Sequence, residues 1–373
     1  MDKGTKVCRI TGILPRALTD SLIEDLNSIG IMNINSAVAR ALTLLDKTAF
    51  FGLYSGSVVV EDPIDVMMFL IPLEMEDSVL EYVVEKAEMH LPGRGTVYSE
   101  EVNLYKAHEL CRGNEVTGIE KKGSKLQSEL TGICCIVQRG EGDTVARVAL
   151  DTGTCVPAIT FGHGTGLRDK LGILRIAIPA EKEVINVAST SYDADAVMGL
   201  MVNAGKLNQP GKGFIYFYPI GKGLINTKIT RGMPKHAASI EQIIATLDDI
   251  KGNVEWRRRS GGGEHDTWEK KSVLKDLLDL TFICDEGRGE DLVKVAMGVG
   301  AAGATISKVN NRAPKDSEIG KISRAREWCN MIVSEAQVDT IVDAIEKDGG
   351  FGDNAHGQVL IRPAPKACTY LGK

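Results

Sequence analysis

The sequence predicts an α+β protein of three tandem units, each with the ferredoxin-like βαββαβ order. Three observations carry that prediction. A stretch at 330–362 reads strand, helix, Gly-rich turn, strand, and the same layout recurs twice upstream at constant offsets. A pattern of strand, helix, Gly stop and strand precedes each of these stretches. The length differences between copies fall between the second and third strands, where a variable hairpin absorbs them.

The last copy is the clearest. Asn330-Met331-Ile332-Val333-Ser334 is short and apolar, and Val338, Ile341, Val342 and Ile345 then repeat at helical spacing. Gly349, Gly350, Gly352 and Gly357 break the helix, and Gln358-Val359-Leu360-Ile361-Arg362 forms a strand closed by Pro363. At one offset Asn330 falls on Asn186, Asp339 on Asp195, Ile341 on Val197, Gly357 on Gly213 and Pro363 on Pro219. At a second, Asp195 falls on Asp77, Val197 on Val79, Pro210 on Pro92 and Gly213 on Gly95. The front halves align too, and Gly30, Gly153 and Gly300 suit left-handed helix C-caps.

Taken in order, the first unit covers 1–104, a polar linker 105–128, the second unit 129–225, a connector 226–274 and the third unit 275–373. First strands are expected at 7–14, 130–137 and 277–284. The apolar run at 49–54, followed by Ser57-Val58-Val59-Val60, suits an extended hairpin. The alternation at 173–178 suits a strand. In the connector, Ser239-Ile240-Glu241-Gln242 is a capping box that opens a helix through Leu247. Arg257-Arg258-Arg259 and Gly261-Gly262-Gly263 then read as a flexible, solvated stretch. The charged loop at 310–325 is expected to stay mobile until it meets a ligand.

Composition narrows the function classes. The chain has 373 residues, 43% hydrophobic and 25% charged, with a net charge of −6, which argues against general nucleic-acid binding. No apolar run reaches the ~18–20 residues of a membrane span, and no secretory leader is expected. The eight cysteines include no C-x-x-C pair, so reduced, buried thiols in a cytoplasmic protein are expected.

A phosphate site needs closely spaced backbone N–H groups, no side chains in the way, and a cation. The second unit offers Gly205, Lys206, Gly211, Lys212 and Gly213, with Gly162, His163, Gly164 and Thr165 as the opposing wall. The first unit offers Gly93, Arg94 and Gly95. His163 and His356 read as turn or surface residues, no metal site is expected, and no catalytic set stands out.

On these residues the units resemble the P-II nitrogen-regulatory signalling family. The segment from Val338 to Ile345 resembles that family's second helix. Gly352-Asp353 and Gly357 through Pro363 resemble its B-loop and fourth strand, as do Gly205-Lys206 and Gly211 through Pro219. Gly162-His163-Gly164 is similar to the base of its T-loop, whereas the other copies show Ala37-Val38-Ala39 and Val309-Asn310-Asn311. Lys228 and Arg231 loosely echo its basic C-terminal pair. The resemblance implies a fused pseudo-trimer, a monomer with internal pseudo-three-fold symmetry. It also implies a ligand-sensing signal protein that requires no cofactor, binds ATP or ADP as a regulatory ligand between units, and acts on a protein partner through its variable loops. An enzyme using a cleft between units stays open as an alternative, as does a CutA-like structural or metal-linked assembly.

Overall fold

Among the described residues fourteen strands join in one sheet that closes on itself. The computed structural model of the protein describes residues 4–48, 54–123, 126–166, 180–231, 247, 250 and 273–371. The chain begins with β1 (Thr5–Pro15), α1 (Arg16–Ser28), β2 (Ile34–Thr48), β3 (Tyr54–Ile71), α2 (Glu76–Lys86) and β4 (Thr96–Ala107). Next come β5 (Leu130–Gln138), α3 (Gly142–Leu150), β6 (Ala158–Gly166), β7 (Glu181–Thr190), α4 (Ala194–Gly205) and β8 (Gly213–Ile220), then short β9 (Gly223–Leu224) and β10 (Thr230–Arg231). The chain closes with β11 (Val273–Asp285), α5 (Gly289–Gly298), β12 (Gly303–Asn311), β13 (Ala325–Val333), α6 (Glu335–Lys347) and β14 (Gln358–Thr369).

The expected fold class, three tandem ferredoxin-like (βαββαβ) P-II-like units forming a pseudo-trimer, is corrected by this sheet. Strands do run β2-β3-β1-β4, β6-β7-β5-β8 and β12-β13-β11-β14 within successive stretches. The ladder does not stop at the edges of those stretches, however, and the result is a closed ten-strand antiparallel barrel with further strands beside it. The cause is edge pairing. A lone four-stranded sheet leaves the backbone groups of its edge strands unpaired. Here β4 pairs with β14, β14 with β8, β12 with β6, and β2 with both β6 and β12. Self-similarity along the chain carries no signal for those ladders. The labels of tandem repeat, P-II-like nucleotide binding and nitrogen signalling were tied to separate units and lose that basis.

Strand alternation sends successive side chains to opposite faces. On β1, Cys8, Ile10 and Leu14 join Leu22, Leu26, Val79, Leu80 and Val83 in a core between the sheet and α1 and α2. Similar outer cores form under α3 and α4 and under α5 and α6. In α6 the capping box of Ser334 and Gln337 starts the helix, and Val338, Ile341, Val342 and Ile345 are all buried. Each such side chain contributes about 1.5–3 kcal/mol by leaving water. Arg9, Thr11 and Ile13, the alternate positions of β1, line the barrel interior instead.

β2 and β3 pair from Ile34 and Phe69 out to Thr48 and Tyr54, so Ser57 through Val60 pair with Asp46 back to Thr43 in one long hairpin and not with the 49–54 run in a hairpin of their own. The expected 105–128 linker begins inside β4, which runs to Ala107. The 173–178 strand, the capping-box helix except Leu247, the 256–264 stretch and the 49–53 part of the apolar run lie outside the described residues. All eight cysteines are free and buried, and burial pushes the Cys134 and Cys155 thiols up to about 12.

Candidate functional site

Polar side chains gather on a built surface in the barrel interior and in a cleft at its side. The interior is set by strand register. Across β1 and β4 Arg9 stands opposite Glu100, across β5 and β8 Gly132 stands opposite Tyr218, and across β11 and β14 Asp279 stands opposite Arg362. The three pairs meet inside the barrel. Arg9 donates to Glu100 from Nε at 3.0 Å and from Nη2 at 2.9 Å, and Thr11 Oγ1 donates to the same carboxylate at 3.1 Å. Arg362 donates from Nε to Asp279 Oδ2 at 2.8 Å and from Nη1 to Glu100, and its guanidinium lies 3.7 Å above the Tyr218 ring. Tyr216 and Asn330 donate to Asp279 at 2.9 and 3.0 Å.

Two guanidinium groups and two carboxylates cancel in charge, and the network supplies each with partners. Burial alone would raise the Glu100 carboxyl, but Arg9 and Arg362 outweigh it and hold the group below its usual range. Asp279 is also held low: burial opposes this, and Arg362 and the Asn330 hydrogen bond overcome it. Burial likewise acts to lower Arg362, and the two carboxylates raise it well above its usual value. Burial lifts Tyr98 to about 12, so its 2.9 Å contact with the Tyr218 hydroxyl joins two neutral phenols. The remaining cavity is about 80 Å³. This self-satisfied network fixes how the strands meet and leaves little room for a ligand.

The cleft differs on each count. It encloses about 410 Å³ between the β1–α1 junction, the β2–β3 hairpin, the turn before β4 and the segment leading into β10. That volume suits a small ligand. Its walls are mostly apolar, including Ile13, Leu14, Pro15, Ala17, Ala41, Ile64, Pro92, Val156 and Ala158. A few polar groups converge on it: Arg16, Thr43, Asp62, Thr96, Asn226, Lys228 and Thr230.

Local chemistry shapes this wall. Gly95 has φ 128°, and a Cβ there would lie 2.3 Å from the Ile13 carbonyl, so glycine is required for the turn to close on β1. Gly93 has φ 86°, and its missing side chain leaves a surface over which the Lys228 stem lies, with Cδ 3.4 Å from an added Cβ. Thr96 Oγ1 accepts from Asn226 N–H at 2.9 Å, and Asn226 Oδ1 accepts from Lys228 N–H at 3.0 Å, which fixes the segment carrying Lys228. Among the described residues no carboxylate pairs with the Lys228 ammonium. Arg16 reaches Asp65 at 3.3 Å, and Thr43 donates to Asp62 at 2.6 Å.

The residues expected from sequence are brought together only in part. Gly93, Gly95 and Lys228 share the cleft. Arg94 does not line it and pairs with Glu88. Arg231 lies in β10 beside Leu45, with its side chain outside the described residues.

The residues of the second unit are elsewhere. Gly162, His163, Gly164 and Thr165 belong to β6 and sit in its ladders with β7 and β12. Gly205 ends α4, with Lys206 as its left-handed cap at φ 50°. Lys212 Nζ binds Glu141 at 2.7 Å, the Gly211 carbonyl accepts from Gln138 at 3.0 Å, and the Gly213 carbonyl accepts from Thr369 at 3.0 Å. None of these lines the cleft. Thr43, Asp62 and Asn226 were not singled out, because β2, β3 and the connector meet only in three dimensions.

No protein-family model matches the chain, and no curated protein matches it. No helix of the described residues is long and apolar enough to cross a membrane.

Proposed function

We propose that this chain is a binding protein that takes a small anionic ligand with an apolar body in the 410 Å³ cleft. One observation carries the reading: Lys228, whose ammonium pairs with no carboxylate among the described residues, lies over Gly93 in a cleft walled mostly by aliphatic side chains and prolines. A cation in a half-sheltered apolar wall attracts an anionic group more strongly than one in open water. The turn at Gly93 and Gly95 carries no side chain of its own at those two positions, so its backbone is open to close approach from the Lys228 side. Pro15, Ala41, Ile64 and Val156 suit a flat apolar or aromatic body. ATP and ADP, with an aromatic base and a phosphate tail, belong to this ligand class and are the first probes to use.

The test is a thermal-denaturation panel on the full chain with ATP, ADP, AMP, adenosine and inorganic phosphate. A ligand present at about 100 times its Kd stabilises the folded state by about 2.7 kcal/mol. The reading expects an upward shift with at least one nucleotide and a smaller one with adenosine. Unshifted melting with every phosphate-bearing probe counts against it.

A further inference from the structure

We propose that His108, His356 and Asp353 form a binding site for a divalent metal of the zinc class where β4 leaves the barrel beside the turn before β14. This site lies outside the cleft lining and does not depend on a ligand being bound there.

One potential ligand atom from each of the three side chains lies within 4.8 Å of the others. The imidazoles meet edge to face with ring centroids 4.8 Å apart, and His108 Nε2 lies 3.1 Å from Asp353 Oδ1. His356 is already oriented as metal-bound histidines are. Asp285 Oδ2 lies 2.7 Å from His356 Nδ1, so Nδ1–H donates to the carboxylate and Nε2 keeps its lone pair. Arg326 supports this arrangement, donating to Asp285 Oδ1 at 2.8 Å and to the His356 carbonyl at 2.8 Å. Cys111 Sγ donates to the same carbonyl at 3.2 Å. His356 is held at φ 45°, a conformation uncommon outside glycine.

Exposure divides the three ligands into fixed and moving parts. The His108 and His356 side chains are 9% and 13% exposed, whereas Asp353 is 95% exposed. Ligand atoms on one tetrahedral zinc sit about 3.3 Å apart when the bonds are about 2.0–2.1 Å. Asp353 makes most of that closing movement from solvent. His108 gives up the long 3.3 Å bond that its Nδ1 accepts from Leu110 N–H, because Nδ1 carries the proton once Nε2 binds metal. Two imidazoles and one carboxylate favour zinc over magnesium or calcium and leave a fourth position for water. The metal would tie together segments already joined by the His108 N–H bond to the Gly357 carbonyl at 2.8 Å.

The test is a calorimetric titration of zinc into the untagged full chain after chelator treatment. We expect binding at micromolar or tighter affinity, lowered at least about tenfold by Asp353→Asn and by Asp285→Asn. His356→Asn, which tolerates the left-handed backbone, is expected to abolish it. Asp353→Asn alters an exposed side chain, so its loss of affinity is not a folding defect. Absence of zinc binding by the parent chain would overturn the proposal, as would binding that Asp353→Asn and His356→Asn both leave unchanged.

Discussion

Gly132 leaves the space that Tyr218 occupies: a Cβ at position 132 would lie 2.0 Å from the Tyr218 ring. The ring cannot retreat freely. Its hydroxyl meets Tyr98 at 2.9 Å, and the Arg362 guanidinium covers its face at 3.7 Å. One pair of facing strands therefore brings an aromatic ring to the barrel centre, and the other two bring oppositely ordered charges, Arg9 with Glu100 and Asp279 with Arg362.

Gly132→Ala is expected to destabilise the protein by about 1–3 kcal/mol, the usual range for overpacking a filled core. Urea unfolding reads the loss. Tyr218→Leu in the same chain should recover part of it, since the two positions share one space. Equal stability of Gly132→Ala and the parent would mean that the barrel centre is looser than described.

Arg362→Met keeps most of the apolar stem and removes the charge shared by Glu100 and Asp279. Breaking a buried ion pair from one side costs about 3–5 kcal/mol because the abandoned charges stay buried. A urea midpoint within experimental error of the parent would refute this role for Arg362.

Acid should weaken the fold through these carboxylates. Unfolded Glu and Asp titrate near about 4.3 and 3.9, and Glu100 and Asp279 are both held lower in the fold. Their contribution is whole above about pH 5 and is lost as pH falls through the folded values. Unfolding free energy measured from pH 5 to pH 3 should fall more steeply for the parent than for Asp279→Asn. Parallel slopes would show that Asp279 is not linked to acid stability.

Local patterns in the sequence report local structure well. The stripe of Val338, Ile341, Val342 and Ile345 identifies α6 and its buried face, and Ser57 through Val60 falls in the long β2–β3 hairpin. The barrel was not legible, because closure depends on ladders such as Thr305 with Gly164 and Cys368 with Ile215, between residues far apart in the chain. The same limit applies to the cleft. Gly93 and Gly95 were readable as an open turn, but nothing in the sequence says that Lys228 lies over Gly93 while Lys212, in a similar turn, is bound to Glu141. Side-chain pairing decides which lysine is available, and pairing is a property of the folded chain.

An equilibrium titration of ATP against the parent chain, Lys228→Ala, Ala17→Trp and Lys212→Ala tests the central claim most directly. Ala17 is an exposed residue of the cleft wall, so a tryptophan there fills the cleft and leaves the core alone. The account predicts saturable binding that Lys228→Ala weakens about tenfold or more, the loss of one charge-assisted contact. It predicts that Ala17→Trp blocks binding and that Lys212→Ala leaves it unchanged. Binding that survives both Lys228→Ala and Ala17→Trp, or no binding by the parent chain, would contradict it.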